Sequence, residues 1–441
     1  MTVRLRDPHD AEILRLAVPA LGALVAEPLY ILADTAVVGR LGTEALAGLA
    51  VASSALLTGF AIFIFLAYGT TSAVARLLGA GREAEAAREA VQALWLAVLI
   101  GVVVAVGGLA ASGPVVAALG AEGRVAELAL TYLRISLLGV PAQLLVFAGT
   151  GYLRGLQDTR TPLVVAVGGA VGNLVLELVL IGGFGFGIGA SALSTVVAQT
   201  ASATVFVAIV LRATNRLGAP RRPDPAAIWR AARVGGDLLV RTVALRGALT
   251  LGTAVATRIG TVDVAAHEIA FAIWNLLALA LDALAIAGQA LIGRYLGAER
   301  PDLARDAGRR MLELGVGVGV VVAILLAVAG PVLPHVFSTD PEVLALGTFL
   351  LWWVAGMQPV NAVAFVLDGL LIGAGDMAFL ARAMVGAAVV FGTAAAAVLA
   401  LDLGIGWLWA AVALLMVARA VPLWLRWRGG RWAVEGVGIG G

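Results

Sequence analysis

The chain has 441 residues, of which 61% are hydrophobic and 13% are charged, and its mean hydropathy is +1.00. Soluble proteins carry roughly 25% charged residues, so these values argue against a water-soluble fold and against a disordered chain. The net charge is +2, all 30 basic residues are arginine, and the absence of cysteine excludes disulfides and thiolate metal sites.

Taken in chain order, the sequence contains twelve apolar stretches that are long enough to cross a bilayer as helices. A polar segment precedes the first stretch, and this long apolar stretch contains no small-residue cleavage site after a short core. We therefore expect that the first helix is retained and is not a cleaved signal peptide. The expected spans are residues 13–38, 45–74, 90–112, 126–149, 162–182, 188–211, 234–257, 265–292, 311–330, 342–366, 380–401 and 404–425.

Arginine clusters occur in every second loop and at both ends of the chain. With twelve spans, all of these clusters fall on one side of the membrane. The positive-inside rule then predicts that both termini are cytoplasmic and that the protein is a multi-pass protein of the inner (plasma) membrane.

The two halves of the sequence resemble each other at a spacing of 218 residues. The segment that begins at Arg76 returns at Arg294, and Pro141 returns as Pro359. Six spans per half give both halves the same orientation, which predicts an all-α polytopic membrane protein built from two six-helix bundles related by a parallel internal repeat. The predicted parts are an N-terminal bundle carrying a cation-coupling site (1–211), a cytoplasmic linker (212–232), a C-terminal bundle (233–428) and a tail (429–441).

Two such bundles that rock about a central site are typical of alternating-access transporters, and a static helical bundle is the alternative. Carboxylates inside the spans favour transport, because a buried acid is costly and usually faces a cavity or a partner. In span 1, Glu27, Tyr30 and Asp34 share one helix face, and Pro19 is expected to kink that helix.

Further polar residues lie in spans 5 and 6. Asn173 and Glu177 share a face of span 5, and span 6 carries Ser191, Ser194 and Thr195, for which structural hydrogen bonds alone are the simpler interpretation. If spans 1, 5 and 6 pack together, these oxygens form one buried site. Burial and a second acid both favour the protonated form, so the acids can bind and release a proton, and the all-oxygen set also suits Na⁺.

The second half does not repeat this cluster, since the partner of Asp34 is Gly252. Asp237 and Arg241 are spaced for a salt bridge near the cytoplasmic end of span 7. Arg246 lies deeper and needs a partner, for which Asp282 and Asp368 are candidates. Asp368 is alternatively a cavity residue that attracts cationic substrates.

Several stretches carry a resemblance to a known family. They are Pro19 to Leu41, Gly151 to Pro162, the Ala265-Ala-His-Glu segment and Gly369 to Asp376. The chain resembles a multidrug and toxic compound extrusion (MATE) transporter of the DinF-like branch, over essentially its whole length.

The resemblance implies export of organic, often cationic or amphipathic, compounds by an antiporter driven by H⁺ or Na⁺. It implies a first-half cation site at Asp34, Asn173, Glu177 and Thr195, and a kink-forming role for Pro19. Glu27, Tyr30 and Asp368 are our candidates for substrate or cavity contacts. Glu27 stands where a neutral amide is familiar, and Glu177 where an aspartate is.

The leading hypothesis is therefore a proton-coupled drug antiporter, with Na⁺ as the alternative ion. A flippase of lipid-linked precursors from the wider superfamily is the second hypothesis, although twelve spans and an acidic cluster fit it less well. We expect no enzymatic activity, because the sequence has no paired-histidine metal motif, nucleophile elbow or Walker loop. We also expect no cofactor, no resident metal, no nucleic-acid partner and a monomeric state.

Overall fold

A computed structural model of the chain describes residues 7 to 437. Within them the chain forms fourteen α-helices, separated by short turns, with a π-helical turn after α7 and one short 3₁₀ turn before α12. The helices are α1 (Asp10–Gly39), α2 (Thr43–Phe63), α3 (Phe65–Gly79), α4 (Glu83–Ala118), α5 (Gly123–Leu138), α6 (Val140–Gly155), α7 (Arg160–Glu177), α8 (Ile188–Leu217), α9 (Pro225–Ile259), α10 (Thr261–Gly297), α11 (Pro301–Ala329), α12 (Pro341–Gly373), α13 (Met377–Ala400) and α14 (Ile405–Arg428).

The helices account for the predicted twelve spans. Eleven helical segments in the described part of the chain are long and apolar enough to cross a membrane, with α2 and α3 counted as one segment. The pair α5 and α6, bent by 48° at Gly139, supplies the twelfth. Several helices extend past the predicted spans: α4 begins at Glu83 and α11 at Pro301, because charged residues continue the helix beyond the apolar stretch.

The described residues divide into two compact units. One comprises Val18–Gly235, and the other comprises the residues from Gly236 onward together with those up to Ala17. The first turns of α1 thus belong to the unit formed by the second half, and the first turns of α9 belong to the unit formed by the first half. This division differs from the predicted boundaries at 211 and 233.

Close helix crossings repeat between the two halves. A Cβ atom added to Gly151 in α6 would lie 2.5 Å from the carbonyl oxygen of Ala67 in α3. At the corresponding positions in the second half, a Cβ on Gly369 in α12 would lie 2.4 Å from the carbonyl oxygen of Ala285 in α10. Only glycine permits this approach of two backbones, so the sequence repeat is also a repeat of packing.

A second pair of crossings follows the same rule. A Cβ on Gly101 would lie 2.6 Å from Cα of Pro141, and one on Gly319 would lie 3.2 Å from Cα of Pro359. Both pairs are separated by the same 218 residues, so the internal repeat predicted from sequence is confirmed in the helix packing within each half.

The start of α1 is held by side chains of the second half. The guanidinium of Arg310 donates to both carboxylate oxygens of Asp10, at 2.6 and 3.0 Å. The hydroxyl of Tyr295 donates to Glu12 at 2.7 Å. These contacts fix the first turn of α1 on α10 and α11.

The start of α9 is held in a related way by the first half. Gln92, which is the repeat partner of Arg310, accepts a hydrogen bond from the Asp224 backbone N–H at 2.8 Å and donates to the carbonyl of Arg222 at 3.1 Å. The Arg88 guanidinium donates to the Asp224 carboxylate at 2.6 Å. Gln92 and Arg310 occupy the same position in the two repeats. Each of them therefore holds the start of the first helix of the opposite half.

Asp224 also caps α9, and its titration is expected to make the stability of the first turn of α9 depend on pH. Its carboxylate accepts from the backbone N–H groups of Ala227 and Ala226, and these bonds, together with the charges of Arg88 and Arg230, hold the pKa of Asp224 below its usual value of 3.8. A carboxyl group whose pKa is lower in the folded state than in the unfolded state stabilises the fold at pH values above its unfolded-state pKa. This stabilisation is lost as the pH falls through the folded-state pKa.

We therefore expect amide exchange in the first turn of α9, corrected for intrinsic rates, to rise as pH is lowered from 5 toward 3. Asp224→Asn still caps the helix but does not titrate, so it should lose this pH dependence. An unchanged pH profile in the variant would contradict the assignment.

Candidate functional site

The predicted acid of span 1 lies at the centre of a buried hydrogen-bond network inside the Val18–Gly235 unit. Asp34 is only 5% exposed. The hydroxyl of Ser191 in α8 donates to one oxygen of Asp34 at 2.6 Å, and the hydroxyl of Tyr132 in α5 approaches the other at 3.5 Å. The Asp34 carboxylate is thus held by hydroxyl donors from two other helices.

A second set of hydrogen bonds adjoins the first. The hydroxyls of Tyr30 and Thr195 lie 2.7 Å apart, and the amide of Asn173 donates to the Thr195 oxygen at 3.2 Å. Thr195 also donates to the carbonyl of Ser191 one turn earlier in α8. Spans 1, 4, 5 and 6 therefore contribute side chains to one polar site.

Glu177 is the residue of this site that most needs a ligand. It is fully buried at the end of α7 and is close enough to Asp34 to interact electrostatically. Neither of its carboxylate oxygens, nor the Asn173 side-chain oxygen, reaches hydrogen-bond geometry with any group in residues 7–437. Buried acceptors without donors are rare and costly, so a proton or a cation bound here would stabilise the site.

The backbone at Glu177 is itself unusual. The α-helix stops there and continues as a single π-helical turn, Leu178–Gly183. Such turns widen a helix at the cost of its regular hydrogen bonds and occur frequently at functional sites. The pair Gly182 and Gly183 completes the turn before α8 begins.

The structure brings together five of the residues singled out in the sequence: Asp34, Asn173, Glu177, Thr195 and Tyr30. Their assignment as the coupling site stays a prediction, which this grouping supports. Two residues of the network were missed. Tyr132 carries no periodic signal within its span. For Ser191 the favoured interpretation was a structural hydrogen bond between helices; its hydroxyl does donate to another helix, and the acceptor there is Asp34.

The remaining predicted residues lie elsewhere. Glu27 is exposed on α1, about 10 Å along the helix from Asp34. Pro19 lies inside α1, which contains a second proline, Pro28. Asp368 belongs to the other unit, where it forms a bidentate ion pair with Arg241 and not with Arg246. The partner was missed because a long arginine side chain on any neighbouring helix can reach the same carboxylate.

The oxygen donors of the site suit a proton or a hard monovalent cation. Two carboxylates, one amide oxygen and four hydroxyls converge on it, and hard cations such as Na⁺ prefer oxygen ligands. A proton shared by Asp34 and Glu177 also satisfies the pair, because two neighbouring buried carboxylates are costly when both are charged. The geometry therefore fits either ion.

Ser191 and Ser194 provide a matched test of the network. We expect Ser191→Ala to lower cation-dependent transport at least about 10-fold, because a hydrogen bond to a charged group contributes about 1.5–3 kcal/mol. Ser194 is equally buried, but its hydroxyl donates only to the carbonyl of Ala190 in its own helix. Ser194→Ala should therefore transport like the wild type, and equal loss in both variants would show that Ser191 has only a packing role.

A family model and several known proteins are similar to this chain over most of its length. The family model described as MatE matches residues 19–179 and 244–398. The chain is 33% identical to the protein DETOXIFICATION 44, chloroplastic, of Arabidopsis thaliana over 394 residues, which cover 85% of this chain and 74% of the relative. It is 28% identical to the DNA damage-inducible protein F of Escherichia coli strain K12, covering 96% of this chain and 94% of that protein.

Solved structures match over nearly the whole chain. The crystal structure described as MATE in the bent conformation has a TM-score of 0.87 at 23% identity and covers 98% of this chain and 96% of that one. The outward-facing conformation of a multidrug resistance MATE family transporter has a TM-score of 0.86 at 22% identity, with 95% of each chain covered. At these identities the match concerns the fold.

Proposed function

We propose a function from the premise that this chain belongs to the MATE family of membrane transporters. The protein exports organic, often cationic or amphipathic, compounds in exchange for protons that enter down their gradient. The observation that carries this proposal is the buried pair Asp34 and Glu177, in which both Glu177 oxygens lack a hydrogen-bond donor within the described residues. Na⁺ is the alternative coupling ion, because the same oxygens suit it.

The position of the site supports uptake from outside. With a cytoplasmic N-terminus, α1 begins inside the cell and ends at the outer face. Asp34 lies five residues before the end of α1 at Gly39, which is about 8 Å along the helix. The path for an external proton is therefore short.

Protonation changes the energetics of the network. When a proton binds to Asp34 or Glu177, the site loses a negative charge and gains a donor, which satisfies one of the orphan acceptors. The hydroxyls of Ser191 and Tyr132 are then free to reorient, and α1 can adjust near Pro19, where a backbone hydrogen bond is already missing. A bound proton favours one conformation only through its different affinity for the two states.

Substrate and proton must either compete directly or bias opposite conformations for exchange to occur. Glu27 and Tyr30 lie on the same face of α1 as Asp34, so a cationic substrate near Glu27 and a proton at Asp34 act on one helix. This arrangement supports competition between them through α1.

Two further observations support the branch of the family and the cellular location that we propose. Similarity to the Escherichia coli DNA damage-inducible protein F over 96% of the chain supports placement in the DinF-like branch. The one-sided arginine clusters support a plasma-membrane protein with both termini in the cytoplasm.

Transport by purified protein in proteoliposomes tests the proposal. An imposed proton gradient should drive uptake of a fluorescent organic cation, and an equal Na⁺ gradient at constant pH should drive little. Stimulation by Na⁺ alone would replace H⁺ with Na⁺ as the coupling ion. Absence of gradient-driven transport for a panel of organic cations, with flipping of a lipid-linked precursor instead, would overturn the antiporter in favour of the flippase.

A further inference from the structure

The second-half unit contains a charged cluster that the coupling site does not use; three of its side chains are buried and that of Asp282 is half-buried. It comprises Arg241 in α9, Asp282 in α10, Asp368 in α12 and Arg419 in α14. Arg419 is 3% exposed, and its guanidinium interacts electrostatically with both aspartates and lies 5.2 Å from the ring centre of Phe365. The cluster contains two cations and two anions, so it is neutral overall.

Arg241 and Asp368 form the core of this cluster. Nε of Arg241 donates to Oδ1 of Asp368 at 2.9 Å, and Nη2 donates to Oδ2. The side chains are only 10% and 12% exposed. Both carboxylate oxygens are therefore engaged by one planar guanidinium in a place where water is scarce.

The internal repeat does not carry this cluster into the first half. The positions that correspond to Arg241, Asp282 and Asp368 in the first half are Ala23, Ile64 and Thr150. Conversely, the first-half acids Asp34 and Glu177 correspond to Gly252 and Ala395. Each half has its own buried acids, and in the second half an arginine of the chain binds one of them.

A buried acid pair without a basic side chain must take a cation from solution, whereas a buried acid with a bidentate arginine has its counter-ion already. We propose that Arg241 is a tethered cation that fills the second-half carboxylate site, so that the coupling ion binds only at Asp34 and Glu177. The claim that the coupling ion binds only in the first half rests on the proposed function. The claim that Arg241 fills the second-half carboxylate site does not rest on it.

The proposal predicts that removal of the guanidinium opens a monovalent-cation site at Asp368 and Asp282. Arg241→Ala removes the guanidinium and its stem and leaves room for a free guanidinium ion. The thermal transition of the purified full chain, followed by tryptophan fluorescence, should then rise with millimolar guanidinium chloride by about 3 °C or more and saturate. Choline chloride at equal ionic strength should have no such effect, and the wild type should not respond to guanidinium.

The double variant Arg241→Ala/Asp368→Asn is the matched control. It lacks the carboxylate, so it should fold without guanidinium and should not respond to it. A saturable response in the double variant, or none in Arg241→Ala, would overturn the proposal. If Arg241→Ala cannot be purified either with or without guanidinium while the double variant can, the tethered-cation interpretation is likewise wrong.

Variants that lack the first-half acids distinguish the role of Arg241 from the proposed antiporter function. In Asp34→Asn/Glu177→Gln, any H⁺- or Na⁺-dependent stabilisation seen for the wild type should disappear, because the second half offers no other site. Adding Arg241→Ala to that background should restore a response to Na⁺. If the wild type transports nothing, the antiporter proposal fails, yet the guanidinium and Na⁺ responses still decide the role of Arg241. A cation response that persists in Asp34→Asn/Glu177→Gln would contradict confinement of the coupling ion to the first half.

Discussion

Asp34→Asn should abolish proton-driven efflux, lowering the initial rate at least about 10-fold while the protein still reaches the membrane. Asparagine keeps the shape of the side chain and can still accept a hydrogen bond from Ser191, so the network should remain packed. It cannot take up a proton, and the site therefore loses the charge change that biases the two conformations. The measurement is gradient-driven transport in proteoliposomes, normalised to the amount of folded protein.

The matched control for this variant is Asp302→Asn. The same chemical change is made there on a side chain that is 92% exposed near the start of α11. It should leave transport and stability unchanged. Retention of more than half of the wild-type rate by Asp34→Asn would refute the proposed coupling role of Asp34.

Gly369→Ala should produce the largest loss of stability among simple substitutions. The added Cβ would lie 2.4, 2.5 and 2.7 Å from the carbonyl oxygen, Cα and carbonyl carbon of Ala285. These are backbone atoms of α10, so no side chain can move aside, and the two helices must separate. Overpacking typically costs 1–3 kcal/mol, and we expect about 3 kcal/mol here.

Gly356→Ala in the same helix provides the comparison. A Cβ at that position meets no other atom within 4 Å, and alanine is the better helix former. Thermal unfolding in detergent should therefore show a clear fall in Tm for Gly369→Ala and no fall for Gly356→Ala. Equal melting temperatures for the two variants would mean that α10 and α12 are not held at this close crossing.

Hydropathy and arginine placement were sufficient to predict the twelve spans, because burial in lipid leaves a continuous apolar stretch in the sequence. The repeat was predictable for a different reason. Gly151 and Gly369 recur with their neighbours because the helix crossing in each half tolerates no side chain. The sequence does not reveal the bend at Gly139, since an apolar run reads the same in a straight and in a bent pair of helices.

The site was only partly predictable. Asp34 and Glu177 stood out because acids are expensive inside a membrane span. Tyr132 and Ser191 did not, because both residue types are common in spans and acquire their role only through the packing of α5 and α8 against α1. The pairing of Arg241 with Asp368 depends on tertiary contact between residues 127 positions apart, for which a single sequence holds no signal.

The exchange of first turns between the units has a consequence for biosynthesis. When the ribosome has made residues up to Gly235, α9 can already begin on contacts that exist, because Gln92 and Arg88 precede it. Asp10 and Glu12 have no such advantage: their partners, Arg310 and Tyr295, follow 300 and 283 residues later. These partners do not exist until most of the chain has been translated, so the first helix gains its final contacts only when the eighth and ninth of the twelve spans have been made.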